Sequence, residues 1–256
     1  DQGMRSLILD LRDDPGGLLD QAIRVVDTFI SSGTIVITAG SRPHERETRR
    51  AEAINTEPNY PLVVLVNGGS ASASEIVAGA LRNQGRAILI GERTFGKGSV
   101  QTLYEFDDGS ALKLTVAQYL TPGEESIQSV GIMPDVEFLT MQVERERIDL
   151  DPHASTIRES DLQQHLDQHR RSADRQAEYR LRLLRRESSP AGERQCPRVS
   201  RCDEEQSEPW SEEATSFAQQ LLASNPGSTR ASLLSAAGRL VDERQHVSVL
   251  RLDERV

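Results

Sequence analysis

Short apolar runs alternate with amphipathic stretches along the first 100 residues of the chain. Four of these runs predict β-strands: residues 6–11, 34–38, 62–66 and 87–90, of which the first and the last two are expected to be buried. Between them, residues 18–30 carry apolar side chains at helical spacing, and a second helix is expected from about 73 to 81. The uninterrupted run LVVLV at 62–66 is typical of a strand that is covered on both faces of its sheet.

A polar segment and a hairpin complete this part of the pattern. Residues 41–59 are polar and charged, which predicts a surface loop or lid. Residues 100–104 and 111–116 flank the turn at 107–109 (Asp-Asp-Gly), which predicts a β-hairpin. Strands that alternate with helices and then give way to a hairpin predict an α/β fold, with a mixed β-sheet core and packed helices.

After about residue 140 the chain becomes polar and charged, which predicts a charged helical C-terminal extension. A charged helix is predicted over 160–186, because Ser160 and Gln163 have the spacing of a capping box. Residues 188–209 are rich in Ser, Pro, Gly and Glu and predict a linker. Two shorter helices are predicted beyond it: 212–223 and 229–240.

This change in composition predicts two parts of the chain: a core over 1–140 and a helical, partly flexible extension over 141–256. We expect the extension to be dispensable for chemistry, and to influence assembly or substrate access. It carries two sets of apolar side chains, which we expect to dock on the chain's own core. These are Leu162, Leu166, Tyr179, Leu181 and Leu184 in the first set, and Trp210, Phe217, Leu221 and Leu222 in the second.

Composition and charge narrow the classes of function. The net charge is −10 and the core has no sustained Lys/Arg stripe, which disfavours nucleic-acid binding. No apolar run reaches the roughly 18 to 20 residues that a membrane helix needs, and no signal peptide is recognised. Cys196 and Cys202 lie in the extension without a nearby histidine, so a metal site is not expected there. A disulfide and two unpaired loop cysteines remain open alternatives.

A serine-rich junction is the first candidate for chemistry. Residues 66–75 (VNGGSASASE) join a predicted buried strand to a predicted helix. At a helix N-terminus, free backbone N–H groups and the helix dipole favour developing negative charge. The alternative is an ordinary serine-capped turn. Ser70, Ser72 and Ser74 are rival nucleophiles on these grounds.

A glycine-rich loop with a lysine is the second candidate. The spacing of Gly91, Gly96 and Lys97 fits a phosphate-binding loop, but Gly98 stands where a hydroxyl is needed and a strand is predicted next. The other readings are a surface lysine in a turn, or Lys97 as a general base. A lysine acts as a base only as the neutral amine, which requires burial to lower its pKa, and Phe95 would help to exclude water. Lys97 is better placed for this role than any histidine: His44, His153, His165, His169 and His246.

Together these segments resemble a known family. LILDLRDDPGG at 7–17, VNGGSASASEIVAGAL at 66–81, GERTFGKGSVQ at 91–101 and TPGEESIQSVGIMPD at 121–135 resemble motifs of the C-terminal processing peptidases, or tail-specific proteases. The resemblance covers about residues 5–138. It implies a serine endopeptidase that cleaves unfolded or C-terminally exposed protein substrates through an acyl-enzyme formed by a Ser/Lys pair.

The resemblance also implies roles for individual residues. The matching positions are Ser72 as nucleophile, Lys97 as general base, Gln101 as the glutamine that orients the lysine, and the N–H groups of Ala73 and of Gly16 or Gly17 as the oxyanion hole. Glu75 is expected to be a helix-capping or structural group. No metal or cofactor is implied, and activity is expected to rise with pH.

The same resemblance implies a wider context for the chain. Its members carry an upstream PDZ domain, so the core is expected to be N-terminally incomplete. If catalysis requires that upstream region, the chain is expected to be inactive by itself. The expected partners are protein or peptide substrates, oligomer formation is left open, and the expected location is periplasmic or otherwise exported. A catalytically silent binding or scaffold protein of the same fold is the alternative function.

Overall fold

The computed structural model describes residues 3–42, 44–143, 148–149, 157–162, 176–186, 209–224 and 227–253. Its strands are β1 Leu7–Asp10, β2 Thr34–Gly40, β3 Arg46–Arg50, β4 Leu62–Val66, β5 Ile88–Gly91, β6 Ser99–Glu105, β7 Ala111–Thr121, β8 Glu125–Ser126, β9 Val136–Val143, β10 Ile148–Asp149 and β11 Tyr179–Arg186. Its α-helices are α1 Leu19–Phe29, α2 Ala73–Asn83, α3 Pro209–Ala223 and α4 Arg230–Asp253, with a short 3-10 turn at Glu159–Asp161.

The main sheet has the order β1-β4-β5-β9-β10, with β11 also paired to β9. Strands β1, β4, β5, β9 and β11 run parallel to their neighbours, and β10 runs antiparallel to β9. All five residues of β4 are buried, as its apolar run predicts. The predicted α/β fold with a mixed sheet and packed helices is confirmed.

Successive residues of β4 and β5 point to opposite faces of the main sheet, so the sheet has two apolar layers. Leu62, Val64 and Leu89 pack in one cluster with residues of α1 and α2. Val63 and Ile88 pack in the other cluster, with residues of β11, α3 and α4. The C-terminal helices therefore complete the core on the second face.

A second, antiparallel sheet carries the predicted hairpin. Its order is β3-β2-β7-β6, with β8 paired to β7. The hairpin of β6 and β7 is confirmed. The prediction of a loop over 41–59 is wrong at Arg46–Arg50, which form an edge strand against β2. All five of these side chains are exposed, so the strand depends on backbone pairing that a burial pattern does not reveal.

The C-terminal half departs from its predicted helix. The helix predicted over 160–186 is wrong at Tyr179–Arg186, which form β11 in parallel with β9. Tyr179 and Leu181 pack into the second cluster while Arg180 pairs with Glu137, which is the alternation of a strand.

The predicted helices over 212–223 and 229–240 are confirmed within α3 and α4, and both helices are longer than predicted. The expected docking on the core is confirmed for Phe217 and Leu221, which are buried against the sheet. It is wrong for Leu162, which is 43% exposed. Several predictions lie outside the described residues: the linker before Pro209, the cysteines, and the side chains of Leu166, Leu184 and Trp210. The division of the chain near residue 140 stays a prediction.

One buried carboxylate ties α4 to the rest of the core. Asp135 is fully buried, and its Oδ1 accepts from Arg82 Nε of α2 at 2.8 Å and from an Arg230 guanidinium nitrogen of α4 at 2.6 Å. Its Oδ2 accepts the N–H of Leu89 at 2.9 Å. Among the helices that the structure describes, none has the length and apolarity needed to cross a bilayer.

Candidate active site

The turn between β4 and α2 holds Ser72 in an unusual backbone conformation. Ser72 is the N-cap of α2, with φ of 55° and ψ of −111°. A non-glycine residue in this region is strained, and such strain is found where a side chain must be presented at a strand-to-helix turn. Ala73, the first residue of the helix, follows directly.

The three rival serines differ in access and in hydrogen bonding. Ser70 is 0% exposed, and its hydroxyl donates to Leu11 O at 2.7 Å and accepts the Asn67 N–H at 3.0 Å. Ser74 is only 3% exposed within α2. Ser72 is partly exposed. Of the three, Ser72 is therefore the serine that a substrate can reach.

A buried glutamate joins the serine turn to the lysine loop. Glu75 is 0% exposed, and its Oε2 accepts the N–H of Ser72 at 2.9 Å and the N–H of Lys97 at 2.8 Å. Its Oε1 accepts the Gly96 N–H at 2.8 Å and the Thr94 hydroxyl. Because they share one acceptor atom, the backbone nitrogens of Ser72 and Lys97 lie within about 6 Å of each other.

Burial and hydrogen bonding shift the pKa of the Glu75 carboxyl in opposite directions. Burial raises the pKa of Glu75 to about 7, against the lowering effect of the hydrogen bonds from Thr94, Gly96, Ser72 and Lys97. A capping role was expected for Glu75, but its contact with the lysine loop was missed. The sequence shows the helical spacing from Ser72, and carries no signal for a contact with residues that fold back from the next loop.

The side chains of Lys97 and Gln101 are not joined to each other. Both residues lie at the start of the β6 region, where Lys97 is partly exposed and Gln101 is exposed opposite Thr115. Among the described residues, no hydrogen bond or ion pair involves the Lys97 amine or the Gln101 amide. The fold thus brings the Ser72 and Lys97 backbones together, and leaves the expected role of Gln101 as a prediction.

The glycine turn after β1 packs against the serine turn. A Cβ on Gly16 would lie 2.5 Å from Ala71 O and 2.7 Å from Ala73 N, so only glycine fits there. The Gly16 N–H already donates to Asp14 Oδ1 at 3.0 Å. Within the described part of the chain, the N–H groups of Gly17 and Ala73 have no acceptor. Gly17, rather than Gly16, is thus the better partner of Ala73 for an oxyanion.

Other kinds of site fit the structure less well. Strand β6 begins at Ser99, where a phosphate-binding loop would need a helix. His44 is exposed in the turn before β3, and the other histidine side chains lie outside the described residues. Over those same described residues, no group of three or more histidine, cysteine or acidic side chains is placed to hold a metal ion.

The part of the chain that contains this site matches a known protein family. Residues 1–138, more than half of the chain, match the profile of peptidase family S41. The chain belongs to peptidase family S41. The S41 region contains the Ser72 turn, the Lys97 loop and the glycine turn, whereas residues 157–162, β11, α3 and α4 lie beyond it.

Individual S41 relatives have similar names. A carboxy-terminal-processing protease of Bartonella bacilliformis is 50% identical over 133 residues, which cover 52% of this chain and 31% of that protein. The chloroplastic carboxyl-terminal-processing peptidase 3 of Arabidopsis thaliana is 48% identical over 145 residues, covering 56% and 28%. The solved photosystem II D1 C-terminal processing protease is 38% identical, covers 59% of this chain and 36% of that one, and has a TM-score of 0.49. The chain thus spans about a third of the length of the curated relatives it matches.

Proposed function

We propose that this chain cleaves peptide bonds of protein or peptide substrates through an acyl-enzyme on Ser72, with Lys97 as the general base. The observation that carries the proposal is the shared hydrogen-bond acceptor Glu75 Oε2, which holds the backbones of Ser72 and Lys97 side by side. Membership in a peptidase family supports the same reaction class.

The proposed reaction assigns one role to each group. The neutral amine of Lys97 takes the proton of Ser72 Oγ as that oxygen attacks the substrate carbonyl carbon. The N–H groups of Ala73 and Gly17 stabilise the oxyanion that forms. Lys97 then gives its proton to the leaving amine, and afterwards activates the water that hydrolyses the ester on Ser72. Gln101 is proposed to orient the Lys97 side chain.

The proposed substrates are unfolded or C-terminally exposed proteins. The names of the relatives support this class, since they describe carboxy-terminal processing. Cleavage of a set of peptides that differ only in a free or amidated C-terminus measures it. Equal rates for both forms would contradict recognition of an exposed C-terminus.

We propose that Ser72→Ala and Lys97→Ala each abolish the reaction while the chain stays folded. The two side chains act as one unit, so the double variant should be no slower than either single variant. The measurement is covalent labelling by a fluorophosphonate probe, with casein cleavage as a second assay. Ser235→Ala, on the exposed surface of α4, is the matched control and should keep full labelling.

The outcomes of this experiment separate the alternatives. Labelling that survives in Ser72→Ala would contradict the assignment, and mass analysis of the adduct would then test Ser70 and Ser74. A folded complete gene product that takes no label and cleaves no peptide would favour the silent scaffold, whereas activity only in that longer product would show that the chain needs its upstream region.

We also propose an exported or periplasmic location, which rests on the family resemblance alone. Fractionation of cells that express the complete gene product measures it. Recovery of the protein in the cytoplasmic fraction would contradict this proposal without affecting the assignment of the site.

A further inference from the structure

A segment beyond the S41 region contacts the loop that carries Lys97. The N–H of Glu159 donates to Phe95 O at 3.2 Å. Oε1 of Glu159 accepts from Gln128 Nε2, also at 3.2 Å. We call residues 157–162 the clamp segment.

The clamp segment has a defined shape of its own. The N–H of Arg158 donates to Asp161 Oδ2 at 2.9 Å, and the N–H of Asp161 donates back to Arg158 O at 3.0 Å. These bonds close a short 3-10 turn around Glu159, which is partly buried. The Glu159 carboxylate is therefore presented to the core by a closed turn.

Gln128 connects Glu159 to the residue that follows Lys97. It is fully buried, and its Oε1 accepts the N–H of Gly98 at 3.0 Å. Gly98 packs closely against the Gln128 backbone, since a Cβ on Gly98 would be 2.6 Å from Gln128 N. The Gly98 N–H can only donate and the Glu159 carboxylate can only accept, so the two partners together fix which way the Gln128 amide points.

The backbone of the lysine loop is held on both sides. On one side Glu75 accepts the N–H of Lys97 itself. On the other side, Gln128 holds Gly98 and the Ser129 N–H donates to Gly96 O at 2.8 Å. The clamp segment is the part of this arrangement that comes from outside the S41 region.

We propose that Glu159 and Gln128 are positioning residues for Lys97, through which the C-terminal half of the chain sets the place of the general base. This inference rests on the proposed function of Lys97. Removing the Glu159 carboxylate takes away an acceptor of the Gln128 amide, and with it a restraint on the orientation that serves Gly98. A base displaced by about 1 Å can lower a rate by about a hundredfold.

The test compares four forms of the full chain: wild type, Glu159→Ala, Glu159→Gln and the control Glu243→Ala on the exposed surface of α4. The first readout is hydrogen exchange of the backbone amides of residues 94–99. The second is the rate of Ser72 labelling by a fluorophosphonate probe, measured from pH 6 to pH 10.

In Glu159→Ala we expect exchange at Gly98 to rise and labelling to slow by about tenfold or more at every pH. Glu159→Gln keeps an amide oxygen that can accept from Gln128, so it should rescue both readouts. The control should match wild type. Exchange in β4 should be the same in all four forms, which separates loss of positioning from loss of stability.

Wild-type exchange and labelling in Glu159→Ala would overturn the proposal, as would equal losses in Glu159→Gln and Glu159→Ala. If Glu159→Ala fails to fold, Gln128→Glu takes its place. It keeps an oxygen for Gly98 but sets two carboxylates face to face, and is expected to show the same losses. If the wild-type chain takes no label, the proposed function fails, and the exchange readout alone decides whether the clamp segment holds the lysine loop.

Discussion

Glu75 accepts hydrogen bonds from two separate segments, and its charge state decides how well it can hold them. An ionised carboxylate offers lone pairs for all four donors, whereas a protonated one must also place a proton among them. Because burial raises the pKa of Glu75 to about 7, this change falls near neutral pH. Glu75 is thus a candidate source of pH dependence that is separate from the general base.

We expect Glu75 to lower stability as the pH rises from about 4.5 to 7. The unfolded chain ionises this carboxyl near 4.5, while the folded chain keeps its proton until about 7. Across that interval the folded state binds more protons, so the free energy of unfolding falls, by about 3 kcal/mol in total. Below 4.5 both states are protonated and the penalty is absent.

Urea unfolding of wild type and Glu75→Gln at pH 5, 6, 7 and 8 measures this effect. The variant cannot ionise, so its stability relative to wild type should improve with rising pH. Parallel stability curves would contradict the prediction. At every pH we also expect Glu75→Gln to label more slowly, since an amide has a single accepting oxygen and cannot accept the N–H groups of Ser72, Gly96 and Lys97 from both sides as the carboxylate does.

The residues of the site divide into those that the sequence could indicate and those that it could not. Ser72 and Lys97 were indicated by motifs that occupy continuous stretches. The preference for Gly17 over Gly16 depends on the hydrogen bond from the Gly16 N–H to Asp14 Oδ1. The spacing of the motif does not indicate that bond. The bridge through Glu75 likewise depends on how one loop folds against another.

At the scale of elements, the sequence predicted the strands that are continuous apolar runs, the helices with apolar side chains at helical spacing, and the hairpin of β6 and β7 from its turn residues. Strand β3 was missed because its side chains are all exposed and its hydrogen bonds to β2 leave no pattern. Strand β11 was misread for a different reason. Its alternation of Tyr179, Arg180 and Leu181 has the period of a strand, but the capping-box spacing of Ser160 and Gln163 favoured a helix that continued to Arg186.

Asp135 links three elements, and we expect its loss to cost far more than the loss of one partner. Asp135→Ala leaves Arg82, only 6% exposed, as a buried charge without its partner, which should destabilise the fold by about 3–5 kcal/mol. Arg230 is more exposed, and its removal leaves the pair with Arg82 in place, so Arg230→Ala should cost about 1 kcal/mol. Urea unfolding of both variants measures the difference, and equal losses would contradict this ranking.

At the scale of the whole molecule, β11, α3 and α4 of the C-terminal half bury the second face of the main sheet. We expect truncation after residue 143 to expose Val63, Leu65, Ile88 and Ile90, because β11, α3 and α4 cover them. The truncated chain should bind a hydrophobic dye and aggregate. The expectation from sequence that the extension is dispensable for chemistry stays a prediction, which the same truncated chain tests.

Dye binding, light scattering and urea unfolding of the truncated chain provide the measurement, with the full chain as control. A soluble truncated chain that unfolds cooperatively and still takes the Ser72 label would contradict the prediction. It would also support the expectation that the residues of the extension are dispensable for chemistry.

The cover supplied by α3 and α4 has a consequence for synthesis on the ribosome. Strand β5 is complete by Gly91, but α4 begins only at Arg230. At roughly 5–20 residues per second, the second face of the sheet waits on the order of 10–30 s for its covering helices. During that interval the nascent chain already contains Ser72 and Lys97 but displays an open apolar surface, which makes it a natural client for a holding chaperone.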